Sequence, residues 1–208
     1  MPGPGLCFVR VATLRQALWH AHVNAVGAPP AMRAWLTAGG SLTARLGAHS
    51  EVFRVQRLHQ RTATCLHDEA RAIGLGRPGR VWEREVLLRC DGVPVVFAHT
   101  VVPLSASAAD WPLFTARGER SLGSTLFYDP RVSRGAPEFA RIRAGHPLMQ
   151  RAAMALGAGT NAAEPATAVY YARRCLYRRR RGTLLVTEVF LPSVLALSAP
   201  HHLTTNLK

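Results

Sequence analysis

An arginine and a glutamate, far apart in the sequence, each fall on the apolar side of a predicted strand. In an extended chain alternate residues share a face, so Arg84 lies on one side with Trp82, Val86, Leu88 and Cys90. By the same alternation Glu188 lies with Leu184, Val186 and Phe190. A buried guanidinium keeps its charge, so Arg84 needs a carboxylate partner. Two alternatives stay open: the two residues form a core salt bridge with each other, or they line a pocket for a polar ligand.

Two predicted β-hairpins carry these residues. The stretch Val81–Pro103 turns at Asp91-Gly92, a pair that tolerates the positive φ angles of a tight turn. The stretch Val169–Pro192 is predicted to turn at about Arg181-Gly182. On the first hairpin His99 shares a face with Val95, Phe97 and Val101, which favours a structural histidine over one that binds a ligand.

Hairpins with helices gathered elsewhere indicate an α+β fold, a single domain with an antiparallel β-sheet. Ser41 is a typical N-cap for a short helix over 42–46. The other predicted elements are strands over 51–59 and 131–143, and helices over 31–38, 68–73 and 148–156. We predict an N-terminal extension over 1–30, the domain over 31–192 with an insertion at 145–168, and a C-terminal tail over 193–208.

The charge of the chain is unusual. Its 208 residues carry a net charge of +14, although only 18% of them are charged and 48% are hydrophobic. Nucleic-acid binding, attraction to a membrane surface and steering of an anionic small molecule are all compatible with such a charge. The dense run Arg178–Arg181 is typical of a solvated hairpin tip, with an anion-binding patch as the alternative. No aromatic residues are interleaved with it, so we expect no nucleic-acid partner.

Several classes of protein are disfavoured. Cys7, Cys65, Cys90 and Cys175 form no CxxC pair and have no histidine at metal-ligand spacing, so we expect neither a metal site nor a secreted, disulfide-bonded protein. The longest apolar runs are too short to span a membrane, and no cleavage-site pattern follows the N-terminal stretch. P-loop, GxGxxG, HExxH and GxSxG motifs are absent. These features favour a cytoplasmic protein.

Four segments stand out in the chain, in this order and at these separations: WLTAGGSLTARL, REVLLRCDGVPVVFAHTVVP, SLGSTLF and LLVTEVFLP. Together they resemble the bacterial chorismate pyruvate-lyases. The resemblance runs from about Trp35 to Pro192, apart from the segment 145–168. It implies a buried ligand cavity between an antiparallel sheet and covering helices, with neither a metal nor an organic cofactor. It also implies elimination of pyruvate from chorismate to give 4-hydroxybenzoate, the first step of ubiquinone biosynthesis.

The resemblance assigns ligand contacts to four residues: Leu42, Arg84, Leu122 and Glu188. Arg84 would take the ring carboxylate with help from the Leu122 backbone N–H, and Glu188 would face the hydroxyl end of the ring. Leu42, where relatives commonly have methionine, would belong to a helical flap over the cavity. Relatives often carry arginine at the position of His99, which leaves its role in binding a second carboxylate open.

The alternative function is a sensing module without catalysis, because the same fold serves transcription regulators as an effector-binding module. Such a regulator should carry a winged helix-turn-helix, and the N-terminal segment is too short for one. We therefore expect a carbon–oxygen lyase with Arg84 and Glu188 as catalytic residues, acting as a monomer on the dianion chorismate.

Overall fold

The computed structural model describes residues 16–107, 110, 111, 126, 129–157 and 168–197. Within these residues eight strands form one antiparallel sheet, in the order β1-β6-β7-β8-β4-β3-β2, with β5 paired to β7. Their bounds are β1 Trp19–His20, β2 Phe53–Thr64, β3 Arg80–Cys90, β4 Val93–Pro103, β5 Val132–Arg134, β6 Glu138–Arg143, β7 Val169–Arg179 and β8 Gly182–Phe190.

Short helices connect and cover the strands. They are α1 Pro30–Leu36, α2 Leu42–Ala48, α3 His67–Ala72, α4 Leu104–Ser107 and α5 Pro147–Leu156, with 3₁₀ helices at Val23–Val26 and Pro192–Ala196. None of the helices in the described part of the chain is long and apolar enough to cross a membrane. The antiparallel sheet with its few helices confirms the predicted α+β fold.

The two predicted hairpins are β3–β4 and β7–β8. Asp91 and Gly92 have φ angles of 50° and 81°, as the predicted tight turn requires. The second turn lies one residue earlier than predicted, because Gly182 pairs with Arg179 as the first residue of β8 and Arg180 takes the positive φ of 53°. Glycine at position 182 instead allows the backbone of β8 to lie close to Asp110, since a Cβ there would come within 2.5 Å of the Asp110 Cβ.

The single strand predicted over 131–143 is two strands, β5 and β6. Between them the Gly135 N–H donates to the Leu176 carbonyl at 2.8 Å, and Pro137 has no N–H to donate to a neighbouring strand. The strand is interrupted here and resumes as β6, which pairs with the same neighbour, β7. Pro137, which has no backbone N–H, lies at this interruption.

The sheet separates two apolar layers. On the front face α1 and α2 pack over β3, β4 and β8 through a cluster that includes Trp35, Leu36, Leu46, Val96 and Phe190. On the back face α5 packs through Leu148, Met149 and Ala152 against a cluster that includes Leu87, Phe97 and Val189. Alternation along each strand divides the residues between the layers, so neighbours such as Leu87 and Leu88 belong to different clusters.

Parts of the predicted extension and insertion contribute to these layers. Trp19 and His20 pair with β6, and Val26 and Ala28 are buried in the front cluster. Helix α5, from the segment 145–168, is part of the back layer. The predicted domain limits stay a prediction, but the packed body includes residues on both sides of them.

Candidate active site

A pocket of about 590 Å³, including its mouth, opens on the front face between the sheet and α2. Three of the four residues predicted to contact a ligand line it: Leu42, Arg84 and Glu188. Leu122 lies outside the described residues. The other lining residues are mostly apolar and include Val55, Val86, Leu88, Ala98, Leu126 and Val186.

Arg84 supplies a buried positive charge to the pocket wall. It is 3% exposed, in the middle of β3, opposite Thr100 of β4. Burial, followed by the nearby charge of Arg57, lowers the pKa of Arg84 from its ordinary value. The group remains a cation at neutral pH, because the ordinary pKa of arginine is so high. A cation held in a water-poor wall attracts an anionic ligand more strongly than one in bulk water.

Glu188 stands on β8, across the pocket from Arg84. It is in register with Ala98, which is in register with Val86 of β3, two residues from Arg84. Two strand spacings and a two-residue step separate the Arg84 and Glu188 Cα atoms by about 12 Å. The ion-pair partner of Glu188 is Arg173, directly opposite on β7. Between the two alternatives left by the sequence, the structure therefore favours the pocket.

Helix α2 covers the pocket through Ser41, Leu42 and Thr43. The Ser41 side chain accepts a hydrogen bond from the Ala44 N–H at 3.3 Å, which confirms the predicted N-cap. Leu42 is 5% exposed and belongs to the front cluster. An apolar residue at the start of α2 thus shields the pocket from water.

Tyr177 is a pocket residue that the sequence analysis did not single out. Burial, and then the nearby Cys175, raise the pKa of Tyr177 to about 12, so its hydroxyl keeps its proton at neutral pH. It can therefore donate a hydrogen bond but does not act as a base. Strand alternation could have identified this residue, because Tyr177 shares a face of β7 with Cys175 and Arg173, on the side of the sheet that carries Glu188.

A second group of charges lies on the back face, behind the pocket. His99 Nδ1 is 3.1 Å from Glu85 Oε1, and His99 Nε2 is 3.0 Å from Glu69 Oε1. Burial alone would lower the pKa of His99, but Glu69 and then Glu85 raise it to about 10. Burial would likewise raise the pKa of Glu85, but His99 and then Arg151 hold it at about 2. His99 is thus a charged structural residue that faces away from the pocket.

The described residues include one group with the spacing of metal ligands, on the edge of this back-face cluster. It consists of His59, Glu83 and Glu85, whose ligand atoms lie within 4.8 Å of one another. Arg151 Nη1 donates to Glu83 at 2.5 Å and to Glu85 at 2.9 Å. Because the guanidinium already compensates both carboxylates, the group is best described as an ion-pair cluster.

Fold and pocket together define a single-domain α+β protein with a small-molecule site on one face of its sheet. Residues 13–198 match the family model for chorismate lyase. A probable chorismate pyruvate-lyase from Cupriavidus metallidurans is 47% identical over 188 residues, 90% of this chain and 86% of that protein. One from Ralstonia nicotianae is 50% identical over 166 residues, 80% of this chain and 84% of that protein. The chain belongs to the chorismate lyase family.

A more distant likeness is to a solved structure. The effector domain of PhnF from Mycobacterium smegmatis is 17% identical, with a TM-score of 0.48, and the match covers 75% of this chain and 91% of that domain.

Proposed function

We propose that this protein eliminates pyruvate from chorismate to form 4-hydroxybenzoate, as a carbon–oxygen lyase. The bond between the ring and the enolpyruvyl oxygen breaks, and the hydrogen on the neighbouring ring carbon leaves with it. That hydrogen ends on the methyl group of pyruvate, and the ring becomes aromatic. Because aromatisation drives the step, the protein mainly has to bind and orient the substrate.

One observation carries the proposal: a buried arginine and a glutamate stand on opposite sides of one apolar pocket. A ring with a carboxylate at one end and a hydroxyl at the other is complementary to this pair. Arg84 would bind the ring carboxylate, and a planar guanidinium can do so through two parallel hydrogen bonds. Glu188 would accept a hydrogen bond from the ring hydroxyl. Both are the proposed catalytic residues.

Leu42 and Leu122 complete the proposed set of substrate contacts. Leu42 would exclude water from above the ring, since it lies at the covered side of the pocket. The backbone N–H of Leu122 would donate to the ring carboxylate beside Arg84. In a closed, apolar site the side chain of chorismate would be held near the ring hydrogen it takes, so elimination proceeds within the substrate itself.

The proposed product is a precursor of the ubiquinone ring, so we assign the reaction to the first step of that pathway, in the cytoplasm. The strongly positive chain supports a dianionic substrate, because a positive field raises the rate of encounter with an anion.

The test is to mix purified protein with chorismate and to quantify 4-hydroxybenzoate and pyruvate against the spontaneous reaction. We expect both products in equal amounts, well above the spontaneous rate. Absence of product together with tight binding of 4-hydroxybenzoate would refute catalysis and favour a sensing module. A product other than 4-hydroxybenzoate would refute the reaction as written.

A further inference from the structure

Arg173 connects the pocket to the helices that cover it. It is 2% exposed, on β7, and its Nε donates to the Glu188 carboxylate. Its Nη1 donates to two backbone carbonyls, those of Leu36 at 3.3 Å and Ala38 at 3.0 Å. Leu36 is the last residue of α1, and Ala38 lies in the linker to α2. A single guanidinium thus contacts a pocket residue and the linker at the same time.

The linker and α1 control where α2 lies. The short segment from Thr37 to Gly40 joins the two helices, and Gly40 has a φ of 72°, a conformation that side chains disfavour. Arg45 of α2 donates to the Ala34 carbonyl of α1 at 3.1 Å and lies 4.5 Å from the centre of the Trp35 ring. Because α2 is held to α1 in this way, a residue that fixes the end of α1 also fixes α2.

We propose that Arg173 is a positioning residue that sets the place of Glu188 and of the covering helix α2 together. The ligand in this inference is the one given by the proposed function. The planar guanidinium presents its N–H groups in a fixed fork. One rigid group therefore sets the position of the Glu188 carboxylate relative to the two backbone carbonyls. Glu188 then meets the substrate hydroxyl only when α2 closes the pocket above it.

An ordinary buried ion pair would explain the Glu188 contact but not the two carbonyl contacts. Replacing Arg173 by lysine separates these roles. A lysine ammonium keeps a positive charge beside Glu188, but it is a compact group without the fork that reaches two carbonyls as well. Arg173→Gln removes the charge and the fork together.

Arg174 provides a matched control. It is the next residue on β7, is 8% exposed, and points to the other side of the sheet. Its Nε donates to Glu138 at 2.8 Å, and its Nη1 donates to the Asp68 carbonyl at 3.3 Å. Arg174→Gln therefore removes a buried charge with two carboxylate partners, Glu138 and Asp68, and one carbonyl partner, without touching the linker.

The first measurement is amide hydrogen exchange over residues 37–48 in the full chain without ligand. We expect exchange in this segment to be at least about tenfold faster in Arg173→Lys and in Arg173→Gln than in the original protein. Exchange in β3 should be unchanged in both variants. Arg174→Gln should leave residues 37–48 unchanged. A lysine variant with the original exchange rates would overturn the proposal, because charge alone would then suffice.

The second measurement uses 4-hydroxybenzoate as the probe. We expect its dissociation constant to rise at least about tenfold in both Arg173 variants, because binding must then order α2. Faster exchange spread evenly over the whole chain would overturn the proposal, since Arg173 would then stabilise the fold in general. If the original protein neither binds 4-hydroxybenzoate nor releases it from chorismate, the proposed function fails, while the exchange of ligand-free protein still decides the role of Arg173.

Discussion

Replacing His99 by glutamine should weaken the fold while leaving substrate binding intact. The imidazolium lies between Glu69 and Glu85, and all three side chains are buried, with exposed fractions of 1%, 3% and 4%. Glutamine fills part of the same space but carries no charge, so two buried carboxylates lose their shared cation. Removing one partner of a buried ion pair typically costs about 3–5 kcal/mol.

The pKa of His99 gives the size and the pH range of this effect. The pKa rises from 6.5 to about 10 on folding, which at about 1.4 kcal/mol for each pH unit amounts to about 5 kcal/mol. Because the pKa is raised, this stabilisation is fully present below pH 6.5 and is lost as the pH rises toward 10. For a chain of this size it corresponds to a difference in Tm of roughly 10–20 °C at pH 6.

Urea unfolding of the original protein and of His99→Gln, from pH 6 to pH 10, measures the effect directly. The difference in unfolding free energy should be largest at pH 6 and should shrink steadily above pH 6.5. His22→Gln, at an exposed histidine, is the control and should show no such trend. A difference that stays constant over this range would refute the assignment of a charged His99.

The same variant tests the face on which His99 lies. The pocket is lined by Ala98 and Thr100, the neighbours of His99, so His99 itself points to the back layer. We expect KM for chorismate to stay within about twofold of the original value when activity is measured at pH 6.5 and low temperature. A tenfold rise in KM would mean that His99 acts on the substrate.

Three further predictions concern the pocket, the charge and one glycine. Arg84→Lys should lower kcat/KM at least about 100-fold, because the proposed bidentate contact with the ring carboxylate would be lost. Arg89→Lys, which changes a residue bonded to Gln56, should stay within about twofold, and a loss below threefold for Arg84→Lys would contradict the proposed role. Rising ionic strength should lower kcat/KM more than kcat, since it screens the attraction for the proposed dianionic substrate; an equal fall in both would argue against steering. Gly182→Ala should destabilise by about 1–3 kcal/mol in urea unfolding, as its Cβ would meet Asp110 at 2.5 Å; an unchanged midpoint would show that the contact relaxes freely.

Sequence reasoning reached the pocket residues through strand alternation and through resemblance to a family. Alternation depends only on the local backbone, so the shared faces of Arg84 with Val86 and of Glu188 with Val186 could be read directly. The Asp91-Gly92 turn followed in the same way from residues that tolerate positive φ. The assignment of Leu42 needed the family resemblance, because a leucine at the start of a short helix has no chemical signature of its own.

The partners of the charged residues could not be predicted in this way. Glu188 pairs with Arg173 because β7 lies beside β8, and Arg84 is two strands away on β3. The predicted turn of the β7–β8 hairpin was one residue too late. A shift in the turn changes which residues of the two strands lie opposite each other. The role of α5 was also hidden, because Arg151 contacts Glu83 and Glu85 only after the helix packs on the back layer.

Sequence patterns alone were enough to predict the class of fold, the two hairpins, the faces on which the key charges lie and the family. These follow from local backbone preferences and from residue patterns that stand together in the chain. Three features could be seen only in the folded protein: which charges compensate one another, the enclosure of His99 by carboxylates behind the pocket, and the contacts of Arg173 with both Glu188 and the linker to α2. These contacts unite residues from different strands and helices, so their energies depend on strand order and on packing that no single segment specifies.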